Sequence, residues 1–180
     1  MNKNNTTYSK KIAVIMDLLI VAILIAADQI IKHIVVLNLK DQPAHVLWDK
    51  VLEFDYVENT GSAFGMLQNQ KFFIIFVGII FMAVIIFLTL RLPLKKKFLP
   101  AHVFFAMVVA GGIGNMIDRI RLDYVVDFIS VVLIHFPVFN FADTCVVIGV
   151  IGLFILFLFV YKEKDLDFLK LKQNRYRDFE

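Results

Sequence analysis

Four long apolar runs constrain this chain more than any other feature. They cover residues 12–36, 72–90, 98–117 and 142–161. Each approaches or exceeds the roughly 20 residues that a helix needs to cross a bilayer. The first run is interrupted by Asp17, Asp28, Gln29, Lys32 and His33, and the second carries no charge. The third is rich in Ala, Gly, Val and Phe, and the fourth has one acid, Asp143, in its first turn. Pro93 and Pro100 bracket a short basic turn between the second and third. Composition agrees with this pattern. Hydrophobic residues make up 59% of the chain, against about 45–50% in a soluble domain, and the mean hydropathy is +0.76. That excess needs a lipid-facing surface. The first run is longer than the roughly 7–15 apolar residues of a cleavable signal, and no small-x-small site follows it in a polar context. It reads as a retained helix.

Lysine and arginine counts give the orientation. Thirteen of them lie in the N-terminal tail, the 91–97 turn and the C-terminal tail. The opposite side holds five: Lys40, Lys50, Lys71, Arg119 and Arg121. Both termini are therefore expected in the cytoplasm, with 38–71 and 118–141 outside. A net charge of +3 is too weak to argue for a nucleic-acid partner, and membrane orientation explains the basic excess. The expected organisation is one four-helix membrane domain over 1–161, followed by a charged cytoplasmic tail over 162–180. In the first outer segment, Leu52, Phe54 and Tyr56 alternate with Glu53 and Asp55, a strand pattern. Asn59-Thr60-Gly61 reads as a turn. A small sheet resting on the membrane surface is expected there. The second outer segment, 125–139, is apolar, too short to span and contains Pro137. It is expected to lie along the interface.

Polar residues in or beside membrane helices are costly and are read as functional by default. Here they converge on one depth. Asp28 and Lys32 lie near the outer end of the first helix. Asn115, Asp118 and Arg119 close the third. Asn140 and Asp143 open the fourth. Asn59 and Asp127 lie in the outer segments. Each group also has a plainer reading. Asp28 and Lys32 are i,i+4 and could simply neutralise each other. Asn140 followed by Asp143 fits an N-cap with an acid at N3. Asp118 and Arg119 could mark a helix end. Ala110, Gly111, Gly112 and Gly114 suit close helix packing better than a phosphate cradle, because the strand–turn–helix context is missing.

Asp127 and Asp143 are the hardest to explain separately. Pro137 between them lets the chain fold back. If the two carboxylates meet, like-charge repulsion makes them share a proton. One can then accept a proton from water while the other protonates a carbonyl. That is aspartic-protease chemistry, which needs no metal and no covalent intermediate. Other chemistries fit less well. Cys145 is the single cysteine, sits in an apolar helix and has no adjacent base; one cysteine forms neither an internal disulfide nor a cysteine zinc site. His33, His45, His102 and His135 lack metal-ligand spacing. Ser62 and Ser130 lack a nucleophile elbow. No cofactor and no metal are expected.

Five blocks then stand out together: Asp28-Gln29-Ile30-Ile31-Lys32, Asn59-Thr60-Gly61-Ser62-Ala63-Phe64, Gly114-Asn115-Met116-Ile117-Asp118-Arg119, Val125-Val126-Asp127-Phe128 and Phe139-Asn140-Phe141-Ala142-Asp143. In this order they closely resemble the motifs of bacterial lipoprotein signal peptidase (signal peptidase II), over residues 12–161. The resemblance implies an all-α membrane protein, a four-helix bundle with a small β-cradle on its outer, periplasmic surface. It implies an aspartyl endopeptidase of the bacterial inner membrane. Such an enzyme removes the signal peptide from prolipoproteins, cutting before a diacylglyceryl-modified cysteine. The catalytic dyad falls on Asp127 and Asp143. Asn59, Gly61, Asn115, Arg119 and Asn140 match positions that hold substrate or support the dyad, and Asp28 with Lys32 matches a supporting pair. Prolipoproteins, membrane lipids and globomycin-type cyclic peptides are the implied partners. Thr144 stands where a serine is common, which keeps the hydroxyl. The tail is longer than the family needs; contact with anionic headgroups is one use for it.

Two other classes stay open on the residues alone. A proton-coupled transporter also carries intramembrane Asp and Lys, but no internal repeat is visible and the acids sit at one face. A non-catalytic assembly factor would use the outer surface only for binding.

Overall fold

The computed structural model describes residues 9–62 and 66–169. Lys3 in the N-terminal tail, Ala63 and Phe64 of the second motif block, and the tail from Lys170 onward lie outside the described residues. Among the described residues, four helices are long and apolar enough to cross a membrane: α1 (Lys10–Leu39), α2 (Lys71–Arg91), α3 (Leu99–Leu122, preceded by a 3₁₀ turn) and α4 (Phe141–Ile155, extended by a π-helical turn to Val160). Three strands, β1 (His45–Trp48), β2 (Leu52–Asn59) and β3 (Val125–Val131), form an antiparallel sheet in the order β1-β2-β3.

Helix α3 is the centre of the bundle. Ala101, Phe105, Ala106, Val108 and Ala110 are almost fully buried along it. The other helices turn residues such as Phe72, Leu37 and Phe159 outward, which a bilayer makes favourable. Small residues bring α4 close. A Cβ on Gly111 would stand 2.3 Å from the backbone oxygen of Ala142. On Gly149 it would stand 2.8 Å from that of Phe104. The packing reading of the glycine stretch therefore holds at Gly111. At the other end, Phe98 stacks on Tyr161 with centroids 4.7 Å apart and meets Phe168 edge-on. Lys97 pairs with Asp165. The first part of the charged tail, Glu163–Leu169, is thereby tied to the bundle end as a 3₁₀ segment. Asp17 and His102 also pair between α1 and α3, at 2.9 Å.

The 30 residues of α1 span about 45 Å at 1.5 Å per residue, more than the roughly 30 Å hydrocarbon core. Its last turns therefore continue to the sheet. There Ile31, Val35, Val36 and Leu39 pack with Val126, Phe128, Phe54 and Tyr56. Lys40 pairs with Glu58, and Tyr56 hydrogen-bonds to Glu58 and approaches the Tyr124 hydroxyl. The expected strand at 52–56 is present as β2.

Two details were not read from the sequence. Within the second outer segment, residues 125–131 form a strand, β3, paired with β2. Val125, Val126, Asp127 and Phe128 are all buried, because both faces of this strand are covered, so it shows no alternation. The third helix also runs to Leu122 and not to 117. Arg119 lies in its last turn and Asp118 just before it.

Candidate active site

Helix α4 starts with a reciprocal cap. The Asn140 side chain accepts from the Asp143 amide at 2.9 Å, and Asp143 Oδ2 accepts from the Asn140 amide at 3.1 Å. The capping reading of this pair is therefore correct, and it places both side chains. Asn140 is fully buried, and its Nδ2 donates to Asp127 Oδ1 at 2.6 Å and to Asn115 Oδ1 at 3.0 Å. Asn115 in turn donates to Asp143 Oδ1 at 2.7 Å. On the sheet side, Asn59 donates to Asp127 Oδ2 at 2.9 Å while its own Oδ1 accepts from the Gly61 amide. The register explains this reach. One extra residue on β2 between Phe54 and Val57 sets Val57 opposite Asp127 and Asn59 opposite Val125.

Asp127 and Asp143, from β3 and α4, thus share one amide side chain and face one cavity of about 770 Å³. Burial pushes the Asp127 carboxyl up to about 6, and the charge of Asp143 pushes the same way against the Asn59 and Asn140 donors. Arg119 lines the same cavity. It donates to the Gly61 oxygen at 2.7 Å and to the Asn115 oxygen at 3.3 Å. Its Nε is buried without a hydrogen-bond partner among the described residues. Val147 and Ile148 form an apolar wall on α4, and Phe139 adds to it from the connection before α4.

Behind the cavity lies a buried ionic cluster. Lys32 Nζ is 3.0 Å from Asp28 Oδ2 and 2.8 Å from Asp118 Oδ2, and it donates to Asn115 Oδ1 at 2.9 Å. Asp28 and Lys32 are therefore not a self-sufficient pair: one base serves two acids. Gln29 Nε2 donates to both acids, at 3.1 and 2.9 Å. Gly114 admits the cluster, since a Cβ there would stand 2.6 Å from Asp28 Oδ2.

All nine residues singled out in the sequence fall into these two layers. Asn59, Asn115, Arg119, Asp127 and Asp143 line the cavity, Gly61 and Asn140 are bonded to them from just behind its wall, and Asp28 and Lys32 lie deeper. Asp118, named with Asn115 and Arg119 among the converging polar residues, joins the rear layer, and Gln29, read only as an interruption of the first apolar run, bonds both of its acids. Residues 115, 118 and 119 share a helix face at i, i+3 and i+4, which keeps Asp118 beside Asn115.

Comparison with known proteins follows this geometry. The family model described as signal peptidase (SPase) II matches residues 20–159. The lipoprotein signal peptidase of Caldanaerobacter subterraneus subsp. tengcongensis is 39% identical over 145 residues, which is 80% of this chain and 97% of that protein. That of Clostridioides difficile is 37% identical over 142 residues, 79% of this chain and 94% of the relative. A bacterial membrane enzyme solved by the in meso method superposes with a TM-score of 0.71 at 24% identity, covering 98% of this chain and 99% of that one. A second superposes at 0.70 with 27% identity, covering 89% and 99%. The fold is thus a known membrane-enzyme fold, and the chain belongs to the signal peptidase II family of proteases.

Proposed function

We propose that this protein is an aspartyl endopeptidase that removes signal peptides from diacylglyceryl-modified prolipoproteins, cutting before the modified cysteine. The observation that carries the reading is the Asn140 side chain, which joins Asp127 and Asp143 at one cavity. Asp127, pushed up to about 6, carries the shared proton and donates it to the scissile carbonyl oxygen. Asp143 takes a proton from the attacking water, so oxygen adds to the carbonyl carbon. The proton on Asp143 then passes to the leaving nitrogen as the C–N bond breaks, while a hydroxyl of the tetrahedral diol returns its proton to Asp127 as the carbonyl re-forms, which is general acid–base catalysis by a coupled pair. Asn59, Asn115 and Asn140 hold the two acids. Gly61 and Arg119 are tied to each other, and Arg119 presents its guanidinium at the cavity wall for substrate backbone. A globomycin-type cyclic peptide is expected to compete for this cavity. Purified protein in nanodiscs should cleave a labelled prolipoprotein with chelator present and no nucleotide. Failure to do so would sink the reading.

The proposal places residues 1–161 as one catalytic domain in the inner membrane, with both termini cytoplasmic and the cavity outside. The basic asymmetry supports this orientation. Lys50 and Lys96 are both exposed. In a Cys145→Ala background, a cysteine at Lys50 should react with a membrane-impermeant thiol reagent in intact cells, and one at Lys96 should not. The opposite pattern inverts the orientation.

A further inference from the structure

We propose that Asp28 and Asp118 are positioning residues that set the distance between the two dyad aspartates, with Lys32 as the tie between them. This rests on the dyad reading above. Each of these buried acids accepts the peptide N–H of the residue immediately before a dyad member. Asp28 Oδ1 takes the Ala142 amide at 3.1 Å, next to Asp143. Asp118 Oδ2 takes the Val126 amide at 3.3 Å, next to Asp127. Lys32 and Gln29 each contact both acids. The start of α4 and strand β3 are thereby clamped to one point on α1.

Charge argues that the cluster does more than neutralise itself. One lysine would be balanced by one aspartate. Here two buried acids, 1% and 3% exposed, face a single lysine that is 3% exposed. A surplus buried charge is costly unless its remaining lone pairs are used. They are used on the two amides that precede the dyad. Lys32 has a third arm. It donates to Asn115 Oδ1, which turns the Asn115 amide nitrogen toward Asp143. None of Asp28, Gln29, Lys32 or Asp118 lines the cavity, so their influence on the reaction runs through the placement of the two acids.

Asp118→Asn and Gln29→Leu test this in nanodiscs with a lipidated fluorogenic peptide. A misplacement near 1 Å can cost about 100-fold in rate. Asp118→Asn should lower kcat by about 30–100-fold with KM within about twofold. Its kcat–pH profile should shift, because the separation of the acids sets how they titrate together. Gln29→Leu keeps every charge and should lose about 5–10-fold in kcat. Unchanged kcat and pH profile, however low the Tm, would reduce the cluster to a structural role. A raised KM with unchanged kcat would make it a substrate contact. Either result overturns the inference, and if Asp118→Asn does not insert, Gln29→Leu decides by the same criteria. Asp127→Asn and Asp143→Asn are run alongside. Turnover by either one overturns the dyad reading and this inference with it. Inactivity there beside normal Gln29→Leu and Asp118→Asn overturns this inference alone.

Discussion

Asp127→Asn and Asp143→Asn are each expected to lower kcat by about 10³–10⁴-fold, the upper range for removing a general acid or base, while the protein still inserts and folds. In the proposed mechanism the two acids have different tasks in one proton circuit, so neither can stand in for the other. The asparagine variants also cannot simply re-form the native contacts. Asp143 Oδ1 accepts from Asn115, whose orientation is held by Lys32 and Asn140. An amide nitrogen at that position would face a donor. Substantial turnover by either variant would reassign that residue to a cap or a hydrogen-bond partner. Cys145→Ala is the control and should keep its activity, since the thiol is buried and outside the cavity lining.

Asp127→Asn also has a stability signature with a definite sign. Asp127 holds its proton to about pH 6 in the folded protein, and an unfolded aspartate loses it near pH 3.9. Between these values the native state binds more protons than the unfolded one. Stability from this residue is therefore full below about pH 4 and is lost as pH rises through 6. The loss amounts to about 3 kcal/mol at 1.36 kcal/mol per pKa unit. Thermal melts from pH 4 to 7 should slope downward more steeply for the wild type than for Asp127→Asn. Parallel slopes would mean that the Asp127 carboxyl is not desolvated.

The second large effect concerns the lipid on the substrate. Prolipoprotein lacking its diacylglyceryl group should be cleaved with a kcat/KM at least about 10²-fold lower, the scale that positioning alone can supply. The cavity lies between the start of α4 and the sheet. Val147 and Ile148 on its α4 wall are about half exposed, at 54% and 46%. They give the cavity an apolar wall on a helix long and apolar enough to cross a membrane. A signal peptide arrives as an apolar helix whose peptide bonds are closed to attack, so the scissile bond must be extended and held at this depth. Under the proposed function, acyl chains on the adjacent cysteine would do this, because each buried CH₂ contributes about 0.8 kcal/mol of anchoring. Comparing kcat/KM for both substrate forms in the same nanodisc measures the effect. Equal values would remove lipid positioning from the mechanism.

Several features were legible in the residues because they are properties of short stretches. Apolar length is read along one dimension, so the four helices could be counted from the chain alone. A polar residue in an apolar run stands out for the same reason, which is how Asp28, Lys32, Asn115, Arg119, Asn140 and Asp143 were singled out. The Asn140–Asp143 cap is a contact across three residues. The strand at 52–56 shows alternation because one side of β2 packs on α1. Strand β1 was missed: it has only four residues, all exposed, and no alternation marks it. Strand β3 was missed because burial on both faces erases the period-2 pattern.

What the tertiary structure decided lies in contacts between distant residues. Lys32 meets Asn115 across 83 positions, Gln29 meets Asp118 across 89 and Asp28 meets the Ala142 amide across 114. No local spacing encodes such pairs. They form because Gly111 and Gly114 let α4 and the Asp28 side chain approach α3. The extra residue in β2 then sets the register that brings Asn59 to Asp127. The chain determined which polar groups must leave the lipid. The packing determined which of them meet, because only close approach of three helices and a strand satisfies a lysine, two buried aspartates and two peptide amides at one point.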